Sequence, residues 1–242
     1  MKKDLSWLIN KTIAHRGASS KERPENSLPA FEEAVKRDLP IELDVHRLKD
    51  GTVVVFHDFD TARMCGRGGL VGNYSLERLK KLRLKGTEHQ IPTLKEVLEL
   101  VDGKVGLLIE VKVMFSYKKL CDDLLKTLDG YSGKVAIQSF SRGVIKYLSK
   151  KCDYPLGLIS LNYRRAGFIG FYGLYLNSVS RIKKVNPDFI TYYVMDIPSK
   201  MTKYGKEAGM PIFAWTIRNQ KHLEHARANA DAFITDTRFF DD

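Results

Sequence analysis

The 242-residue chain contains no apolar run approaching the roughly 20 residues that span a bilayer. Its opening, Met1 to Asn10, has basic residues but lacks the apolar stretch of about 7–15 residues and the cleavage site of a signal peptide, so a cytoplasmic setting is expected. Cysteine is scarce. Cys65, Cys121 and Cys152 are an odd number at wide spacing, with neither a CxxC pair nor a zinc pattern. That excludes a disulfide scaffold and reads as thiols in a reducing compartment. Linkers, repeats and low-complexity segments are also missing, which predicts a single domain over 1–242.

What is present is ordinary for a globular protein: 43% hydrophobic and 29% charged residues, which argues against disorder and a fibrous class. The net charge of +11 points to anionic partners without choosing among phosphate esters, nucleic acid and acidic lipid. Most of the excess is local. From Arg142 to Lys184 nine Lys or Arg face a single acid, Asp153.

Short β-branched runs alternate with longer amphipathic segments, as in βα units building a parallel sheet. Eight strands are expected, near Thr12–His15, Ile41–Val45, Val105–Val111, Lys134–Gln138, Leu156–Ser160, Phe189–Tyr193, Ile212–Trp215 and Ala232–Thr235. A short extended piece, Val53–Phe56, is expected to hairpin onto the second strand through Lys49-Asp50-Gly51. Asn26 or Ser27 caps a helix to about Lys36 that turns Leu28, Phe31 and Val35 inward. Thr93 caps another, with Glu96 completing a capping box. Eight strands in about 250 residues fit a TIM (β/α)8 barrel. The stretch 58–91 is too long for an ordinary βα connection and reads as a small insertion over the active face.

Glu42 and Asp44 lie two apart on a strand and so share one face, which in a barrel is the interior. Two buried carboxylates need a positive partner. A divalent cation is one answer, and oxygen ligands favour Mg2+, Ca2+ or Mn2+ over zinc, with Glu110 as a natural third ligand. A buried Glu–Lys or Asp–Arg pair without metal is the other. His15 and His57 stand at strand ends, where barrel enzymes keep their sites, and imidazoles titrate near neutrality, suiting one as general acid and one as general base. Arg16 offers a planar fork for phosphate oxygens and Lys112 a point charge.

His15-Arg16-Gly17, Pro24-Glu25-Asn26-Ser27, Glu42-Leu43-Asp44, Val55-Phe56-His57-Asp58, Glu110-Val111-Lys112, Ala214-Trp215-Thr216 and Ile234-Thr235-Asp236 follow one another in a set order. In that order the chain resembles the glycerophosphodiester phosphodiesterase family from about Thr12 to Asp236. The resemblance implies a TIM barrel with one divalent cation on Glu42, Asp44 and Glu110, His15 and His57 as the acid/base pair, and Arg16 and Lys112 on the phosphate. It also implies Trp215 on the glycerol side of the pocket, a small-molecule glycerophosphodiester as substrate, and glycerol 3-phosphate with an alcohol as products.

Two other functions fit parts of the pattern: a lysophospholipase D or sphingomyelinase D-like activity on lipids, and a noncatalytic basic binder of phosphate or nucleic acid. No stacked-aromatic platform or nucleic-acid motif supports the latter, so nucleic acid is not expected as a partner. The basic, aromatic segment 164–184 has two readings: a βα loop packed over the barrel mouth that shapes the pocket, or a weak contact with an anionic membrane surface through Arg164, Arg165, Arg181, Lys183 and Lys184 around Phe168 to Leu176. Oligomeric state is not legible.

Overall fold

A computed structural model describes residues 3–113, 116–165, 167 and 178–236. The aromatic stretch from Phe168 to Leu176 lies outside the described residues. Of the basic residues expected to meet acidic headgroups, Arg164, Arg165, Lys183 and Lys184 are exposed, but Arg181 is buried with its guanidinium over the Tyr163 ring and so faces no membrane surface. The chain packs as two compact units, one of residues 14–135 with Asp236, the other of residues up to Ile13 together with 136–235.

In the first unit, β1 (Thr12–His15) ends beside β2 (Ile41–Arg47), in parallel, with His15 opposite Glu42. On its other side β2 pairs in parallel with β4 (Leu107–Val111), with Asp44 opposite Glu110. β3 (Val53–Val55) runs antiparallel to the end of β2. The turn between them closes through Gly51 N–H donating to Leu48 O at 3.1 Å, with Gly51 at φ +93°, a conformation glycine adopts without steric cost. Both β2 and β4 are buried on both faces apart from Arg47, as expected of strands covered by helices.

Helix α1 (Leu28–Lys36) starts at Ser27, whose side chain accepts from the Ala30 amide, and Pro29 in its first turn costs no helical hydrogen bond. Its buried face is Ala30, Phe31 and Ala34, while Leu28 and Val35 are half-buried, so the helix is rotated from the expected Leu28–Phe31–Val35 stripe. The cause is Gly17. A Cβ there would lie 2.9 Å from both the Ala30 carbonyl carbon and the Phe31 ring, so the β1 to α1 turn packs directly on these residues.

The insertion builds α2 (Ala62–Cys65), a 3₁₀ turn (Val71–Asn73) and α3 (Leu76–Leu79). These pack with Leu48, Val54 and Phe56 of the β2–β3 hairpin into one apolar cluster that includes Met64, Val71, Leu79, Leu84 and Ile91. Each such side chain contributes on the order of 1.5–3 kcal/mol by leaving water. α4 (Leu94–Val101) follows with the Thr93/Glu96 capping box in place, then α5 (Tyr117–Leu128).

The second unit carries β5 (Val135–Ser139), β6 (Leu156–Ser160), β7 (Phe189–Tyr193), β8 (Ile212–Ile217) and β9 (Ala232–Thr235), each paired in parallel with the next. Helices Arg142–Leu148, Ser180–Lys183, Lys200–Glu207 and Gln220–Asn229 alternate with them. Gly157 in β6 leaves the space that the Phe189 ring fills: a Cβ would lie 2.1 Å from it, and Phe189 stacks on Phe213 at 4.6 Å.

β1, β6, β7 and β9 have the expected bounds, whereas β4 starts two residues later and β8 runs two residues further. Among the described residues, eight strands alternating with helices, with β3 as an antiparallel addition, make this a (β/α)8 chain of the TIM-barrel class. Among the described residues no helix is long and apolar enough to cross a membrane. Cys65, Cys121 and Cys152 form no disulfide.

Candidate active site

Strand register gathers the carboxylates. Glu42 and Asp44 alternate onto one face of β2, and their neighbours in the ladder, His15 and Glu110, turn to the same side. Glu42, Asp44 and Glu110 thus offer ligand oxygens all within 4.8 Å of one another, each residue buried. Lys112, just past the end of β4, reaches back with Nζ 2.7 Å from Glu110 Oε1 and 3.0 Å from Asp44 Oδ1. Asn26 clamps the other Asp44 oxygen, Nδ2 donating to Oδ2 at 2.9 Å.

Arg16 lies at φ +60° and Asn26 at φ +56°, left-handed conformations that cost a non-glycine residue roughly 1–2 kcal/mol each. The strain has a visible return. It aims the Arg16 amide at Glu42 Oε2 (3.1 Å) and lets the Asn26 amide donate to Arg16 O (2.9 Å), so the two turns brace each other. The Arg16 guanidinium stands with Nη1 2.7 Å from Glu25 Oε1 and Nε 3.5 Å from Asp44 Oδ2.

These groups are short of positive charge, with three buried carboxylates against Lys112 and Arg16. Burial, reinforced by the charges of Asp44 and Glu110, pushes Glu42 well above the usual carboxylate range. Glu110 rises to about 7, because burial together with the charge of Asp44 outweighs Lys112. Burial acts on Asp44 too, but Lys112, His57, Arg16 and the Asn26 bond hold it well below the usual range. Lys112 is held above its ordinary value by Asp44 and Glu110 despite burial. Carboxylates pressed toward protonation are what a hard divalent cation would correct, and the all-oxygen donor set of Glu42, Asp44 and Glu110 fits one.

His15 is pushed down to about 3 by burial and the adjacent Arg16, and burial also lowers His57. The Nδ1 of His57 lies 2.6 Å from Asp58 Oδ1. An ionised carboxylate only accepts, so Nδ1 carries the hydrogen and the Nε2 lone pair faces outward. The backbone of His57 is held in turn: buried His46, on the same β2 face as Glu42 and Asp44, donates from Nε2 to His57 O at 3.2 Å. Arg63 of α2 forks between Asp58 and Glu25.

Of the residues expected from sequence, His15, Arg16, Glu42, Asp44, His57, Glu110 and Lys112 all fall in the first unit and interact there. Trp215 stands on β8 in the second, edge-on to Phe140 (5.6 Å) and Tyr193 (5.7 Å), with its indole N–H donating to Ser160 O at 3.4 Å. Sequence reasoning did not single out Glu25, Asn26, His46, Asp58 or Arg63 as site residues. Pro-Glu-Asn-Ser and His-Asp were visible as motifs, but nothing in the chain marks Arg63 as the partner of both.

A glycerophosphodiester phosphodiesterase of Caldanaerobacter subterraneus is 33% identical to this chain over 237 residues, 93% of each protein. Among solved structures, a glycerophosphodiester phosphodiesterase of Thermotoga maritima superposes with a TM-score of 0.76 at 26% identity, over 96% of each chain. A phosphodiesterase of Oleispira antarctica, solved in complex with the product sn-glycerol-3-phosphate, superposes with a TM-score of 0.81 at 23% identity, over 95% of this chain and 94% of its own. Residues 15–238 match the glycerophosphoryl diester phosphodiesterase family from its first histidine onward, and the chain belongs to that family.

Proposed function

We propose that the chain hydrolyses small glycerophosphodiesters to glycerol 3-phosphate and an alcohol. The observation that carries this reading is the convergence of three buried carboxylates, two cations and two imidazoles within one compact unit. A noncatalytic anion binder would have no use for the carboxylates.

Glu42, Asp44 and Glu110 are the residues to hold one divalent cation, Mg2+ or Ca2+, with Mn2+ also suited. When bound, such an ion neutralises phosphate oxygens as a Lewis acid. Arg16 and Lys112 contact the same phosphate and stabilise the charge that builds on it. His15 and His57 share the proton work. One removes the proton of the attacking hydroxyl, the glycerol 2-hydroxyl of the substrate itself, as its oxygen bonds to phosphorus. The other delivers a proton to the alkoxide as its bond to phosphorus breaks. Water then opens the cyclic phosphate with the roles exchanged. Trp215 is the residue that the family resemblance assigns to the glycerol moiety.

The test is incubation of the purified protein with glycerophosphocholine and glycerophosphoethanolamine, with Mg2+, Ca2+ or Mn2+ and with EDTA, reading glycerol 3-phosphate through a coupled dehydrogenase. Cation-dependent release supports the reading. No release with any of the three cations and either substrate overturns it.

A further inference from the structure

Arg63 contributes nothing to the carboxylate cluster, yet it touches the supports of both His57 and Arg16. One edge of its guanidinium meets Asp58, Nε to Oδ2 at 2.5 Å and Nη2 to Oδ1 at 2.9 Å. The other meets Glu25, Nη1 to Oε2 at 3.1 Å and Nη2 to Oε1 at 2.7 Å. Asp58 accepts from His57 Nδ1, and Glu25 accepts from Arg16 Nη1 at 2.7 Å. The five side chains His57, Asp58, Arg63, Glu25 and Arg16 form one uninterrupted relay in which acids and bases alternate.

A carboxylate gripped at one point can turn about its last bond. Two parallel N–H bonds from a planar fork prevent that turn, and only arginine offers such a fork to two carboxylates at once. The Arg63 side chain is 42% exposed, and ion pairs this open to water add little to stability. Its four bonds are therefore poorly explained as glue for the fold. They are well explained by geometry: Asp58 held flat presents one oxygen to His57 Nδ1, and Glu25 held flat presents one to Arg16.

We infer that Arg63 is a positioning residue for the hydrolysis, fixing His57 as its Nδ1–H tautomer and fixing the plane of the Arg16 guanidinium. The inference rests on the functional reading of His57 and Arg16 given above. It assigns the insertion a part in the chemistry, since Arg63 belongs to α2 rather than to a barrel strand.

Two variants test it, Arg63→Met and Arg63→Lys, the second keeping the charge while losing the fork. In the full chain with its cation and glycerophosphocholine, both should lose kcat by about 10–100-fold, as orienting partners around metal sites typically do, with KM changing much less. Circular dichroism should be unchanged. Long-range ¹H–¹⁵N NMR of the imidazoles is the readout independent of turnover: His57 should show a single Nδ1–H tautomer in the parent and a mixture in Arg63→Met. A parent-like His57 tautomer in Arg63→Met, or parent-like kcat in both variants, overturns the inference. Should the parent not turn over the diester, the functional reading fails by itself, and the imidazole spectrum still decides what Arg63 does.

Discussion

Asp44 and Glu110 are direct neighbours across the β2–β4 ladder, with the Lys112 ammonium within 3.0 Å of both carboxylates. A parallel register that places two acids side by side in a buried wall makes the protonation of the site and its affinity for cations two views of one equilibrium.

The pH dependence follows. Glu110 titrates near 7 in the folded chain, above its ordinary value of about 4.3, so folding favours its protonated form. Its contribution to stability is full below about pH 4 and is lost as pH rises through 7. A divalent cation favours the ionised form, so its stabilising effect must grow over the same window. Thermal unfolding of the parent with Mg2+ or Ca2+ against EDTA should show a larger gain in Tm near pH 8 than near pH 5. An equal gain at both would remove Glu110 from the ligand set.

Lys112→Met should expose how much the pair depends on that ammonium. Breaking a buried ion pair from one side typically costs about 3–5 kcal/mol. Urea unfolding at neutral pH in EDTA should show a loss of that order, with part of it regained on adding a divalent cation and a smaller loss at acid pH, where Glu110 is neutral. A loss insensitive to both would mean that packing, not charge, is what Lys112 supplies.

His15→Ala and His57→Ala should each lower release of glycerol 3-phosphate by about 10²–10⁴-fold, roughly 3–5 kcal/mol of barrier, with the fold intact by circular dichroism. Steady-state kinetics on glycerophosphocholine would check this. Near-parent turnover in either variant excludes that histidine from the proton transfers.

Gly17→Ala tests why glycine follows His15-Arg16. The position has φ +83°, and the new methyl would press on Ala30 and Phe31. Backbone strain of roughly 1–2 kcal/mol and overpacking of roughly 1–3 kcal/mol should add. Because the Arg16 amide next to it bonds to Glu42, cation affinity measured by calorimetry should fall together with stability. Unaltered affinity would show that the turn and the carboxylate cluster are uncoupled.

Much of this architecture was legible in the sequence because it rests on local signals: two-residue alternation places Glu42 and Asp44 together, and Thr93 with Glu96 announces a helix start. The buried face of α1 was not, because tertiary packing set it, part of it through the close approach of Gly17 to Ala30 and Phe31. Nor was the role of Arg63, whose two carboxylate partners come one from five residues away and one from 38 residues away. Ladder register brought the carboxylates together, but only the folded insertion reveals what holds His57.

The apolar cluster that the insertion shares with the β2–β3 hairpin makes the two one packing unit. A change of volume at Met64, Val71 or Leu79 is therefore felt at Leu48 and Val54, next to the strand that carries Glu42 and Asp44. Arg63 adds a polar tie to this apolar one, so a displacement of α2 reaches Asp58 and Glu25 as well.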